Sequence, residues 1–364
     1  MDEPSLLDPA ELRDAARGLL AAAEAQELAP ETLWNTMLEA GWLALGVSED
    51  SGGLGQPMLT VAALLEEVGR RPCTQPLISA TAAAAMLDLL SRQGSAQARE
   101  LLDAALSGRA RVVCGDLDPA CAPLAGFVPS IVLGDVPHAA VATHLVFAAK
   151  CAQRGEVLLA LAGEGGALQI EPQSGWDETR QYGRVVVNTA SLDAATSLMA
   201  AAAGAGEAIR RGRAVLDLAI AGDSLGGAAA VLEATIVYMK QRVQFGRTIA
   251  SFQALKHRCA DLATEVAAAR AALMRACAAM DADRPDAPLR AALARLAAGA
   301  AYCAVADEAL QMHGGIGFTW EHACHRYLKR ARSAETIGGS RAARLDAIAA
   351  ELLGEIRGER ILAT

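Results

Sequence analysis

A mostly α-helical chain interrupted by a small middle β domain is the fold class this sequence predicts, and three observations predict it. Long Ala- and Leu-rich stretches with helical periodicity occupy both ends of the chain. Short apolar runs bounded by Gly, Pro and Asp fill the region between them. Hydrophobic residues reach 53% while aromatics supply only 4%, so the core must be built from Ala, Leu and Val, which suits closely packed helices better than an aromatic-rich sandwich. At 364 residues the chain suits two or three packed units, at roughly 100 to 200 residues per domain.

From Leu12 to Leu106 segments such as ELRDAARGLLAAAEAQ and TVAALLEEVGR repeat with the helical period, broken by turn signals at Pro30 and in SEDSGGLGQP. The expectation is an N-terminal helical domain over residues 1–110. Between Arg111 and Leu192 the runs RVVCGDL, SIVLGD, THLVFAAK, EVLLALAG and GRVVVN read as strands, spaced too tightly for helices between them. They define a middle β domain over 111–195. Beyond Ala200 long helices are expected at about 204–241, 252–282, 287–313 and after Gly339, separated by QFGR, DADRPDAP and HGGIGF. Short loops between long helices favour antiparallel neighbours, hence a four-helix bundle over 200–364. No internal repeat recurs at a fixed period.

A net charge of −9 gives no general attraction for phosphate backbones or anionic lipid, so no nucleic acid and no membrane partner is expected. The N-terminus is acidic, with no basic start and apolar signal core, and no apolar run of spanning character is found; a cytoplasmic protein is the expectation. The eight cysteines show no CxxC pair or zinc spacing and read as reduced, mostly buried thiols. His322 and His325, beside Cys324 in EHACH, form a single cluster without a second half and read as a helix surface; no metal is expected.

The runs that carry chemistry are YMKQRVQFGRTIASFQALKHRCADL, from Tyr238 to Leu262, and QMHGGIGF, from Gln311 to Phe318. In the first, Gly246 permits a tight reversal and Ser251 is placed to cap the next helix, leaving backbone N–H groups and Arg242 facing one region, as a diphosphate requires. Phe245 offers an apolar face for adenine or ribose, and Gln253 a donor and an acceptor for a base edge. The alternative is an arginine on a helix C-terminus and a phenylalanine in the core. In the second run Gln311, His313, Gly314, Gly315 and Gly317 put glycines where a backbone must approach a ligand closely.

Together with LEAGWLALGVSEDSGGLG at 38–55 and RYLKRARSAETIGGS at 326–340, these runs resemble the acyl-CoA dehydrogenase family, flavoenzymes that desaturate acyl thioesters between the α and β carbons. The resemblance covers about residues 30–350. It implies an acyl-CoA dehydrogenase-like fold with an N-terminal helical domain, a β-barrel or sheet domain and a C-terminal four-helix bundle. It also implies FAD, whose dinucleotide half, held mainly by a neighbouring subunit, would meet Arg242, Gln244, Phe245, Gly246, Gln253, Gln311, His313, Gly314, Gly315 and Ser340.

The chain departs from the family where the chemistry sits. Removal of the α proton needs a carboxylate, and the position of the family's glutamate holds Gly338, in a register fixed by Arg326, Tyr327, Ala331 and Ser340. The alternative position on the first bundle helix holds Leu216. Asp217 beside it could act as a base with raised pKa or pair with Arg213 or Arg210; Glu335 is a weaker candidate, expected to pair with Arg332. Ala342 stands where the family often has a glutamine. The strands that hold the flavin ring find no match in VVCGDLDPACAPLAGFVPSIVLGDVPHAAVATHLVFAA.

The reading is therefore an FAD-dependent acyl-CoA dehydrogenase present as the base-lacking subunit of a heteromeric enzyme. It resembles the non-catalytic subunit of α2β2 enzymes of steroid side-chain type, with no catalytic residue of its own. It expects a catalytic partner subunit in a tetramer, an acyl-CoA substrate and an electron-transferring flavoprotein as acceptor. The alternatives are a self-sufficient dehydrogenase using Asp217, and a non-redox acyl-CoA-binding or scaffold protein.

Overall fold

Helix α1 (Pro9–Ala25) starts on Asp8, whose carboxylate accepts the Ala10 N–H at 2.8 Å, with proline in its first turn. The computed structural model describes residues 6–118, 123–124, 130–151, 154–163, 166–192 and 198–357. Cys121, and the parts of the expected flavin-ring region at 119–122 and 125–129, lie outside the described residues. Pro30, expected to interrupt a helix, instead begins α2 (Pro30–Glu39), because the first turn has no use for the missing N–H. The SEDSGGLGQP stretch is a loop closed by a 3-10 turn at Glu49–Ser51. Helices α3 (Met58–Gly69), α4 (Leu77–Arg92) and α5 (Ala96–Leu106) complete the N-terminal region, and α3 is buried on every side.

The strand-rich middle forms two sheets. In one, β1 (Val112–Cys114) and the short β2 (Pro123–Leu124) pair parallel with β4 (His144–Cys151), which pairs antiparallel with β5 (Gly155–Ala162), followed by β8 (Leu198–Ala201). In the other, β7 (Tyr182–Asn188) lies between β3 (Ser130–Val136) and β6 (Leu168–Gln173). Val113, Phe147, Leu159, Val185 and Val187 close a second, smaller core. All five strand runs expected from the sequence are present; β2, β6 and β8 were not foreseen, and β6 buries only Leu168 fully.

The C-terminal helices are α6 (Ala202–Gln241), α7 (Gln253–Asp281), α8 (Ala287–His313), α9 (Cys324–Thr336) and α10 (Arg341–Arg357). The sequence reading missed α9 as a separate element. Between α6 and α7 stands a two-stranded hairpin of β9 (Val243–Gln244) and β10 (Arg247–Thr248). Helix α6 is the axis: α3, α4, α7 and α8 all pack on it. The N-terminal and C-terminal helices share one hydrophobic core, running from Trp34 and Leu64 through Leu218 and Ala221 to Tyr302 and Ala334. Backbones touch where α3 crosses α6, since a Cβ on Gly226 would lie 1.8 Å from the Glu66 carbonyl oxygen. Two segments, Gly204–Gln241 and Ala287–Phe318, have the length and apolarity of membrane spans, and their most apolar windows are 83% and 56% buried inside the protein.

Candidate functional site

At the end of α6 the chain turns on the Arg242 N–H, which donates to the Tyr238 carbonyl at 2.9 Å. The hairpin then pairs Gln244 with Arg247 across a two-residue loop, Phe245-Gly246, with φ +53 and +74. Positive φ at both central positions is the requirement of a type I′ turn. Gly246 meets it freely; Phe245 meets it at a cost, with its ring 90% exposed. Arg242, Gln244 and Gln253 are exposed beside it. Phe252 braces the tip, edge-on to Phe245 at 6.2 Å and under the Arg247 guanidinium at 4.0 Å. Ser251, expected to cap α7, donates its hydroxyl to the Thr248 carbonyl at 2.7 Å, and the cap position is Phe252 with no side-chain bond.

The second motif meets the first through Tyr238. Its ring stacks on His313 at 4.3 Å and its hydroxyl donates to the His313 carbonyl at 3.3 Å. His313 ends α8 with its ring turned inward, Nδ1 on the Ala309 carbonyl at 2.7 Å and 3.3 Å from Cys324 Sγ. Any ligand therefore meets the backbone here rather than the imidazole. Gln311, Gly314, Gly315 and Ile316 are exposed, with Phe318 and Trp320 beyond them. His313, His322 and Cys324 bring donor atoms within 4.8 Å of one another, an arrangement the sequence reading did not anticipate. These donors already satisfy the fold: His322 Nδ1 accepts the Cys324 N–H at 3.3 Å, and burial pushes the Cys324 thiol up to about 12.

The positions left without a base come together in space. Leu216, Asp217 and Gly338 line one cavity of ≈ 820 Å³, walled by α6, α8, α10, the end of β3 and the loop after β1. Asp217 is paired with neither Arg213 nor Arg210. Its Oδ1 takes Arg295 of α8 at 2.6 Å, and Arg295 also donates to the Ala334 and Ile337 carbonyls. Arg213 turns to Asp118 at 3.6 Å. Arg344 reaches the Ile337 carbonyl at 2.8 Å, and burial, followed by Arg295, lowers its pKa to about 10. Glu335 is 3.5 Å from Arg332, as expected. Gly338 has φ +65, a left-handed backbone that an L side chain enters only under strain. Ser340, exposed, accepts the Ala343 N–H at 3.1 Å and caps α10.

Beneath the cavity lies a charge cluster that sequence reasoning missed. Asp223 of α6, fully buried, accepts from Arg330 of α9 at 2.6 Å and Arg180 at 3.3 Å. Arg180 also binds Asp177 at 3.2 Å, and Arg330 donates to the Thr179 hydroxyl at 2.6 Å and the Cys73 carbonyl at 3.3 Å. Burial opposes charge on Arg330, but Asp223 more than offsets it and raises its pKa; burial likewise opposes Asp177, whose pKa Arg180 pulls below the carboxylate range. One cluster thus ties the β region, α6, α9 and the loop before α4. Its one sequence signal was a lone aspartate inside the apolar run LAIAGDSLGG.

Residues 10–109 match the family model described as acyl-CoA dehydrogenase, N-terminal domain, and residues 194–353 match acyl-CoA dehydrogenase, C-terminal domain. The chain is 33% identical to the acyl-CoA dehydrogenase IpdE2 of Mycobacterium tuberculosis over 84% of its own length and 82% of that protein's. It is 34% identical to IpdE2 of Mycolicibacterium smegmatis, over 88% of each. A structure of the Tcur3481–Tcur3483 steroid ACAD G363A variant superposes with TM-score 0.81 at 25% identity, over 96% of this chain and 98% of that one. The ChsE4–ChsE5 complex of Mycobacterium tuberculosis shares the fold, with TM-score 0.81 at 24% identity over 96% and 99%.

Proposed function

The chain belongs to the acyl-CoA dehydrogenase family, and from that premise we propose that it serves as the base-lacking subunit of a heteromeric enzyme, completing the FAD site of a catalytic partner. Membership makes it an oxidoreductase-family protein acting on CH–CH donors, with FAD as cofactor. The observation that carries the proposal is the cavity. Leu216 and Gly338 both line it, and Asp217, the lining carboxylate next to Leu216 in the chain, is already committed to Arg295 at 2.6 Å.

The exposed face supports the other half. An apolar ring held strained in solvent at Phe245, forked donors at Arg242, amides at Gln244 and Gln253, and the open turn at Gly314 and Gly315 fit the adenine and diphosphate of FAD. Nothing in this chain covers that face among the described residues, which suits a cofactor carried by a neighbour. When bound, FAD supplies the acceptor for the β-hydride. This chain's residues hold the dinucleotide and screen it from water, and the proton acceptor comes from the partner.

The proposed assembly is a tetramer with two copies of each chain, supported by the likeness to two-component structures. An acyl-CoA of bulky, steroid-like type is the proposed substrate class, an electron-transferring flavoprotein the acceptor, and the cytoplasm the compartment. The test is purification of this chain alone and with a base-bearing family member. The lone chain should be colourless and inactive, and the pair yellow and active; a flavin-replete, active preparation of this chain alone overturns the proposal. A second reading uses Asp217 as base and is favoured by its place in the cavity wall. Asp217→Asn then abolishes turnover while flavin is kept, and unchanged turnover rejects it.

A further inference from the structure

Next in the chain to Tyr238 and His313, whose rings stack at 4.3 Å, stand two methionines whose sulfurs meet one thiol. Cys259 Sγ of α7 lies 3.9 Å from Met239 Sδ of α6 and 4.0 Å from Met312 Sδ of α8. The methionines are 20 and 53 positions away from Cys259 in sequence, so only the fold brings them together. A thioether is a weak hydrogen-bond acceptor and a thiol a weak donor, so these contacts contribute little as hydrogen bonds. Their spacing is that of a coordination shell. Metal–sulfur bonds of about 2.3 Å put the sulfurs of a tetrahedral or trigonal site about 3.8–4.0 Å apart. Plain packing also brings sulfurs this close, but leucine would fill the same volume; what three sulfurs add is softness. Met239 is 3% exposed and supplies a dry side, while Cys259 and Met312 are half-buried and leave a way in from solvent. The charge that acts on Cys259 is Glu308, and it is paired with Arg258 at 2.9 Å, so no free carboxylate there offers itself to a hard ion.

We propose that Met239, Cys259 and Met312 form a binding site for one soft monovalent metal ion of the Cu(I) type. Thiolate and thioether ligands select Cu(I) over the harder divalent ions. On binding, the Cys259 S–H bond breaks and its proton goes to solvent. One thiolate–metal bond forms beside two thioether donations, and the oxidation state of the metal does not change. The ion ties the last turns of α6 and α8 to α7, at residues that flank Tyr238 and His313. The site is independent of which subunit carries the catalytic base.

Cu(I), supplied without oxygen to the full chain in competition with the chromogenic chelator bicinchoninate, is the probe. One ion per chain should be withheld from the chelator, and X-ray absorption at the copper edge should show three sulfur neighbours at about 2.3 Å. Cys259→Ser should abolish the retention, because a hydroxyl is too hard for Cu(I). Met312→Leu should weaken it about a hundredfold, since even the outer partners of a metal site are worth about 10–100-fold. Met274→Leu, exposed on α7, should change nothing. Both altered ligands are half-buried and Met→Leu conserves volume, so the variants should fold, which circular dichroism checks. The absorption spectrum of the unaltered chain decides the matter without them. Full release of Cu(I) to the chelator, retention unchanged by Cys259→Ser or by Met312→Leu, or a shell containing nitrogen overturns the proposal; nitrogen would place the ion at His313, His322 and Cys324 instead. None of these outcomes bears on the flavin or the missing base, so this inference and the base-lacking reading stand or fall separately.

Discussion

Phe245 sits in solvent at φ +53, giving up both burial and backbone comfort, and a residue that gains nothing from its own chain is there for something outside it. Phe245→Gly should raise the stability of the isolated chain by about 1 kcal/mol, read by chemical denaturation, while lowering flavin retention in the paired assembly. Gly338 gives the reverse case. Gly338→Glu places a carboxylate in the cavity but forces φ +65 on an L side chain, so it should cost about 1–2 kcal/mol and leave the lone chain without turnover. His138 sets a pH dependence. Burial, then Arg180 and Arg330, lower its pKa from 6.5 to about 3, so between those values the unfolded chain binds a proton the folded one refuses. Stability should therefore fall as pH drops from 6.5 toward 3, and His138→Gln should flatten that limb of the denaturation profile. The hairpin residues were legible because Arg242, Phe245 and Gly246 keep the spacing of the family that the sequence resembles. His138 was not, because a lone histidine in VPHAAV carries no periodic or motif signal; only the packing around it makes it unusual.

Helix α6 shows how much of an element its sequence reveals. Its length follows from a continuous Ala- and Leu-rich run, and α7 and α8 follow likewise. Helix α9 was hidden because it is among the most polar stretches of the chain: RYLKRARS gives no apolar stripe, and its buried face is made of Cys324, Ala331, Ala334 and the ion-paired Arg330. Strand β6 was hidden because Gln169, Glu171 and Gln173 point outward and Pro172 argues against a strand. The cost of failure is concentrated where these elements lock. Asp223→Ala leaves the buried Arg330 guanidinium without a carboxylate and Arg180 with Asp177 alone, and should destabilise by about 3–5 kcal/mol in thermal or chemical unfolding. Gly226→Ala drives a methyl against the Glu66 carbonyl, and should cost about 1–3 kcal/mol by forcing α3 from α6.

At the scale of the whole molecule, five exposed large apolar side chains, Val243, Phe245, Ile316, Phe318 and Trp320, stand on the two motifs that Tyr238 and His313 join. Amide hydrogen exchange should find residues 242–252 unprotected in the lone chain and protected once a partner is added; protection in the lone monomer would remove this face from the assembly. The helices before the strands and those after them bury a common interior, which has a mechanical corollary. A protease that nicks the exposed backbone at 174–176, between β6 and β7, should leave two fragments still clasped at native strength, migrating as one particle until detergent parts them, and neither half expressed by itself should stay in solution.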